Sequence, residues 1–337
     1  MRKQENTKKR ILLIMPCFYS YTRAIVKAIE NLGFKVSVYY EEPDRYIFLF
    51  MRKLQRIIKT NFFNFLFNQY LLKRILGSKQ KFDVLIVIRG NILNTQFVQH
   101  LKDRVLNSNG RSIYYTWDSL IMMEHKGYLA EAFDRRFSFD SEDVRKYKGW
   151  ILLPLFYSDE YSIKTLQPLR PVYDMACICS FNKYRYEIIK KIQKANPELR
   201  ICIKMYIGKG LYWMKKEMDT FYSDLDLSFL TFEPLTHQEI INLYVNSKVI
   251  LDVTAKDQSG LSMRTIESIG MMKKIATNNR YIREYDFFSS KNVFIYGEED
   301  NFVIDKDWLD QKYELDSKIY NKYSIDSWVH TILESEG

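Results

Sequence analysis

With 337 residues, 47% of them hydrophobic and 27% charged, the chain is long enough for two cores; this excludes disorder, a coiled coil and a collagen-like fibre. The 51 Lys and Arg against 41 Asp and Glu give a net charge of +10, unevenly spread: residues 1–156 hold 27 basic and 14 acidic residues, the remainder 24 and 27. A polyanion, an anionic membrane or an acidic substrate is therefore expected at the first half.

The opening MRKQENTKKR leads into an apolar run at 11–15 that Pro16 stops after five residues, too short for the core of a secretion signal. Residues 21–32 then show helical periodicity ending at Gly33, and Lys35–Tyr40 reads as a strand, so the chain begins as a βαβ unit with Gly33 as helix stop. The longest uncharged stretch, 60–72, is broken by Asn and Gln and falls short of the about 20 apolar residues of a membrane span, so none is expected. Apolar runs at 83–88, 112–116, 137–139 and 150–153, separated by helix-like segments, indicate a mostly parallel sheet wrapped by helices.

Residues 157–171 carry two prolines and no clear period and read as a linker. A second series follows: strands at 172–181, 199–207, 227–232, 249–254 and 275–277, and helices at Lys183–Ala195, 236–247 and 262–272. The expected architecture is α/β, two Rossmann-like doubly wound domains at 1–156 and 172–323. A helix at 324–337 could pack on either. Open α/β sheets bind ligands at the carboxyl ends of their strands, so two of them suggest a central cleft. Cys17, Cys177, Cys179 and Cys202 lie on strand-like stretches with no metal-ligand spacing to the four His, which fits a reducing compartment.

The most informative segment is Asp257-Gln-Ser-Gly-Leu-Ser-Met-Arg-Thr-Ile-Glu-Ser-Ile-Gly270, which follows a strand and opens a helix. Gly260 and the N–H groups near Ser262 and Met263 would then lie at a helix N-terminus, an anion site by geometry. Ser259 and Ser262 add hydroxyl donors, Arg264 offers a planar fork, and Glu267, one turn on, could accept two hydrogen bonds from a ribose diol. The same residues also describe a capped, solvated helix with Arg264 and Glu267 paired at i,i+3.

The run Gly260 to Glu267, with Lys273-Lys-Ile-Ala-Thr-Asn-Asn279 and Tyr285-Asp286-Phe287, resembles the donor-binding segment of bacterial GT-B glycosyltransferases of the group 1 type, known from capsule, exopolysaccharide and lipopolysaccharide gene clusters. The resemblance covers about 40 residues well and the two-domain pattern loosely. It implies a nucleotide-diphosphate sugar as co-substrate, with no metal or other cofactor. Glu267 would hold the ribose, and Ser259, Gly260, Ser262, Met263 and Arg264 the diphosphate. The family's retaining pattern of two Glu eight positions apart is broken by Ser at 259, so inverting and retaining outcomes stay open. Ser180, in Ser180-Phe181-Asn182, and Arg185 lie where such enzymes approach the diphosphate; Arg185 reads equally as a solvated charge. Phe232 and Pro234 belong to the loop that holds the base in similar proteins, though a plain turn with Thr236 as N-cap fits as well.

Transfer to a hydroxyl needs a proton acceptor. Asp118 ends an apolar strand beside Trp117, a ring suited to stacking on a sugar, and is the first choice; capping the next helix is its alternative role. His125 is the second choice. Arg89 could bind an acceptor phosphate and Tyr19 could line the pocket. Residues 51–81 hold eight basic and no acidic residues around an aromatic middle, which suits either an interfacial contact with anionic lipid or an ordinary core with solvated charges. The expected protein is thus a glycosyltransferase, cytoplasmic and peripheral at the inner face of the plasma membrane, acting on a glycan or lipid-linked glycan. A nucleotide-sugar epimerase of the same fold is the enzyme alternative, and a scaffolding or nucleic-acid-binding protein the non-catalytic one. No nucleic-acid motif is present, so nucleic acid is not an expected partner.

Overall fold

The computed structural model describes residues 8–18, 20–42, 62–123, 127–167, 170–255, 258–297 and 301–334. Tyr19, His125 and residues 51–61 lie outside this set. The chain divides into two compact units, one up to Pro154 together with the residues from Ile325, the other Leu155–Ser324.

Unit 1 contains β1 (Arg10–Met15), α1 (Tyr21–Asn31), β2 (Lys35–Tyr40), α2 (Phe62–Gly77), β3 (Phe82–Ile88), α3 (Thr95–Val105), β4 (Leu106–Tyr115), β5 (Arg135–Ser138), α4 (Ser141–Lys146) and β6 (Ile151–Leu152). The strands form one parallel sheet in the order β2-β1-β3-β4-β5-β6. β1 and β3 read as continuous apolar runs because both faces of a parallel sheet are covered. α1 stops at Gly33, whose φ of 89° suits a residue without Cβ. β4 starts six residues earlier than the periodicity predicts: Leu106 pairs with Phe82, the polar Asn107-Ser-Asn-Gly stretch bulges out before Arg111 resumes the ladder opposite Val84, and Asn107 Nδ2 donates to Asp83 Oδ1 at 2.8 Å.

Unit 2 contains β7 (Tyr173–Ser180), α5 (Lys183–Ala195), β8 (Ile201–Tyr206), α6 (Lys209–Met218), β9 (Leu230–Thr231), α7 (His237–Val245), β10 (Ser247–Asp252), α8 (Met263–Gly270), β11 (Lys274–Thr277), β12 (Val293–Ile295), α9 (Lys306–Asp310) and α10 (Ser317–Lys322). Its parallel sheet has the order β12-β11-β10-β7-β8-β9. Counted within the unit this is the Rossmann order 3-2-1-4-5-6, with the direction of winding reversed between β7 and β10. β12, a three-residue edge strand, is too short to show a period and has no counterpart in the sequence reading.

Residues 157–167 are not a linker. Tyr157 and Tyr161 are buried, Tyr157 N–H donates to Tyr323 O at 2.9 Å, and Ile163 N–H donates to Gly270 O at 2.8 Å. The close approach depends on Gly270: a Cβ there would meet Tyr157 Cγ at 2.6 Å and Tyr161 O at 2.7 Å. The last helix, α11 (Ile325–Glu334), packs with unit 1 against α1 and sets Trp328 edge-on to Tyr115 with ring centroids 4.8 Å apart. No described helix is long and apolar enough to cross a membrane.

Candidate functional site

The reversal between β7 and β10 opens a crevice at the carboxyl ends of these strands, the place where such a sheet takes a ligand. Arg185, Ser262 and Arg264 come from the segments that follow these two strands. At its floor is Asp252, the last residue of β10 and fully buried. Its carboxylate accepts from Ser262 Oγ at 2.9 Å, Thr277 Oγ1 at 3.1 Å, Thr265 Oγ1 at 3.3 Å and the Arg264 guanidinium. Arg264 Nε also donates to Ile178 O of β7 at 3.1 Å. Burial would pull the guanidinium pKa down, but the Asp252 charge overrides this and holds it above the ordinary value. Arg264 therefore points inward as a neutralised clamp between β10, α8 and β7, and Ser262 Oγ is spent on Asp252. Neither side chain presents a free group to phosphate, which differs from the sequence expectation. An apolar strand that ends in Asp was the available signal for this hub.

The start of α8 keeps its anion-binding geometry. The Ser262 side chain caps the N–H of Thr265, and the first-turn N–H groups of Met263 and Arg264 have no intrahelical acceptor. Ser259 and Gly260 are buried. Asn279 fixes them, its side-chain amide donating to Ser259 O at 3.1 Å and Gly260 O at 3.3 Å. Glu267 is buried too, and the Tyr161 phenol donates to its carboxylate; burial first and this carboxylate second push the phenol pKa well above its ordinary value. It is not a solvated partner of Arg264.

Arg185 takes the place that Arg264 vacates. Its Nε donates to Val253 O at 3.0 Å and its Nη1 to Ser180 O at 3.2 Å, joining the loop after β10 to the end of β7. Both partners are neutral carbonyls, and among the described residues no carboxylate pairs with it, so its charge remains available. Ser180 is exposed beside it. Cys177 and Cys179 are buried strand core; the Cys177 hydrogen bond holds the Cys179 thiol below its ordinary value against the effect of burial, with the Arg264 and Arg185 charges adding to it. At the far edge of the sheet, Phe232 packs on Tyr212 with centroids 5.2 Å apart and Pro234 is exposed. Thr236 and Glu239 form a full capping box on α7, so the turn reading of this loop holds locally.

In unit 1 the winding reverses between β1 and β3, and Arg89, Trp117 and Asp118 come together at the neighbouring strand ends. Trp117 stands in an aromatic group with Phe18 at 5.0 Å, Tyr21 at 5.9 Å and Tyr115 at 6.3 Å. Asp118 does not cap the next turn; Asp143 accepts the N–H of Leu120 there. Instead Asp118 Oδ2 lies 3.0 Å from Arg89 Nε, with its side chain 46% exposed. Arg89 Nη1 also lies 3.3 Å from Glu42 and 3.9 Å from Glu41. Asp118 and Glu42 already pair with this guanidinium, which leaves little attraction for an acceptor phosphate. Arg89 sits at φ 70° and Gly90 at φ 62°, where a Cβ would clash with Leu129 and Val87. Such strained backbone collects at functional sites.

Glu41 was not singled out from the sequence. It follows β2, is fully buried, and neither carboxylate oxygen has a hydrogen-bond partner of normal geometry among the described residues. Burial pushes its pKa up to about 8, against the pull of Arg89 and, more weakly, of the nearby N–H groups of Asn91 and Ile92. Tyr19 and His125 fall outside the described residues.

No protein-family model and no curated sequence matches the chain. Solved structures do. A glycosyltransferase from Rickettsia africae is similar with a TM-score of 0.61 at 10% identity over 98% of this chain and 100% of that one. HepE from Anabaena, solved with UDP and glucose, gives 0.60 at 9% identity over 97% and 99%. A UDP-GlcNAc 2-epimerase from Neisseria meningitidis, bound to UDP-GlcNAc, gives 0.53 at 11% over 96% and 98%. At such identities the likeness shows the fold: the chain has the GT-B fold, with two Rossmann-like domains.

Proposed function

We propose that the protein is a glycosyltransferase that takes its sugar from a nucleotide-diphosphate sugar held by unit 2. The observation that carries this is the crevice between β7 and β10, where the α8 start and the uncompensated Arg185 meet at the point a Rossmann sheet reserves for a nucleotide. In this reading Arg185 and the first-turn N–H groups of α8 hold the diphosphate and take up the charge that develops on it as it leaves, without a metal. Asp252 and Arg264 shape the crevice. Glu267, oriented by Tyr161, binds the ribose, and the Phe232–Pro234 loop the base. HepE holds UDP and glucose on the same fold, which supports the assignment.

The acceptor is a sugar hydroxyl on a lipid-linked glycan bound by unit 1. Trp117 stacks on the ring, and Asp118 receives the proton as the hydroxyl oxygen attacks the anomeric carbon and the nucleoside diphosphate departs. Contact with the cytoplasmic membrane face runs through the 51–81 region. In α2 the exposed Phe62, Phe65, Leu66 and Tyr70 share one face that continues into Lys73 and Arg74. Sedimentation with phosphatidylglycerol vesicles at low salt and release at high salt is the expected behaviour; indifference to the vesicles removes the membrane part of the proposal.

A thermal-shift panel of UDP, dTDP, GDP, ADP and CMP tests the donor site. One nucleotide at about 100 times its Kd should stabilise the protein by about 2.7 kcal/mol, and in Arg185→Ala, compared with its own ligand-free melting temperature, the shift should vanish. No shift with any nucleotide refutes the reading. The epimerase neighbour shares the fold, and conversion of the nucleotide sugar without an acceptor would favour that activity.

A further inference from the structure

Unit 1 holds a buried carboxyl that has no part in the chemistry proposed so far. Glu41 stands directly after β2, and its backbone N–H donates to Met15 O at 3.1 Å, which ties it to the end of β1. One cation lies near it: Arg89 Nη1 is 3.9 Å from Glu41 Oε1, while the same guanidinium reaches Glu42 at 3.3 Å and, through Nε, Asp118 at 3.0 Å. Arg89 thus stands between a carboxyl with no solvent contact and two that are partly in water.

The backbone of Arg89 is fixed, so only its side chain can choose between these partners. Its φ of 70° and the 62° of Gly90 make a strained turn, and this turn is pinned to β4: Tyr114 Oη donates to Arg89 O at 2.6 Å, and Arg89 N–H donates to Tyr115 O at 2.8 Å. The contact of Nε with Asp118 lacks the alignment of a hydrogen bond. Charge holds the fork there, and a less solvated charge would draw it away.

The groups around Glu41 set the range in which this happens. Beside Arg89 and Glu42, the N–H groups of Asn91 and Ile92 face it from the turn and Tyr114 from β4; Asp118 and Asp143 face Tyr114, and Cys17 lies beside Tyr40. Burial keeps the Tyr114 phenol neutral and raises Asp143 to about 6, so Asp143 has ionised before Glu41, raised by burial to about 8, begins to. A neutral Glu41 makes little claim on Arg89. Once ionised, it is an unsolvated charge 3.9 Å from Nη1, whereas water screens the half-exposed Asp118.

We propose that Glu41 is a positioning residue for Asp118 and acts through Arg89. Neutral, it leaves the guanidinium beside Asp118, which fixes the carboxylate; ionised, it draws the guanidinium inward and releases Asp118. The consequence for sugar transfer rests on the reading of Asp118 as the base: transfer should fall on the alkaline side, where a carboxylate base by itself would keep its charge. The coupling between the three residues does not depend on that reading.

NMR of the ligand-free full chain measures the coupling without a substrate. In protein labelled with 13C-carboxyl Asp and 15N-Arg, the Asp118 Cγ and Arg89 Nε signals are assigned by their loss in Asp118→Asn and Arg89→Gln. Both should move along one curve with a midpoint of about 8, and both should stay flat in Glu41→Gln, which retains Cys17 and Asp143. In Arg89→Gln the Asp118 signal should no longer respond over this range although Glu41 is present, a check that holds even if Glu41→Gln does not fold. Flat signals in wild type, curves that survive in Glu41→Gln, or an Asp118 curve that persists in Arg89→Gln overturn the proposal. The nucleotide panel reads the donor site separately, so failure of the coupling and failure of the transferase reading are told apart.

Discussion

Asp252 and Glu41 are both carboxylates buried near the carboxyl end of a strand, and their surroundings treat them in opposite ways. Asp252 receives four side-chain donors, among them the Arg264 fork, and so organises the crevice. Glu41 receives none of good geometry and avoids a buried charge by keeping its proton, with a pKa of about 8. A folded-state pKa raised above the unfolded carboxylate value makes the native state hold the extra proton between about pH 4.5 and 8. Its contribution to stability is complete below that window and is lost as pH rises through it. Glu41→Gln, which has no proton to lose, should therefore gain on wild type by about 1.4 kcal/mol per pH unit across the window. Urea unfolding midpoints of both proteins at pH 5, 7 and 9 measure this; a constant gap would mean that Glu41 is ionised throughout.

At the scale of elements, α8 is held at both ends by contacts that a local reading sees only in part. Ser262 as a cap and the helix after a strand are legible because capping and periodicity are written within a few residues. The same holds for Thr236 on α7. The direction of Arg264 is not legible, since its partner is twelve residues back on another element, and an exposed or an inward guanidinium has the same sequence. Glu267 likewise finds Tyr161 across a segment whose prolines suggested a linker. Gly270 is the element's other constraint. Gly270→Ala places a methyl group inside contact distance of Tyr157 and Tyr161, and overpacking of this kind should cost about 3 kcal/mol. A urea midpoint equal to wild type would show that residues 157–163 can move away freely. Because Tyr161 also orients Glu267, the variant should bind its nucleotide more weakly as well.

Over the whole molecule, two alternating series of strands and helices are enough to predict two parallel α/β sheets, and these are found. What alternation cannot supply is strand order, and with it the winding reversals that set Arg185 beside α8 and Arg89 beside Asp118. Nor does it say where α11 belongs, because an amphipathic helix offers its apolar face to any matching groove. In the structure Ile325, Trp328, Val329, Ile332 and Leu333 are buried with unit 1. At about 1.5–3 kcal/mol per buried side chain they contribute roughly 10 kcal/mol, comparable with the net stability of a domain. A chain ending at Ser324 should lose the cooperative melting of unit 1 and keep that of unit 2, as calorimetry would resolve. Two unchanged transitions would mean that α11 is only an ornament on α1.

The return of α11 also sets an order of assembly during synthesis. About 170 residues separate β6 from α11, and at about 5–20 residues per second the ribosome needs roughly 10–30 s to deliver them. Throughout that interval the groove beside Tyr115 is uncovered, while unit 2 emerges in one continuous stretch and can close first. The half of the protein that is translated earlier is therefore the half that matures last, and its waiting apolar surface is what a chaperone at the exit tunnel would meet.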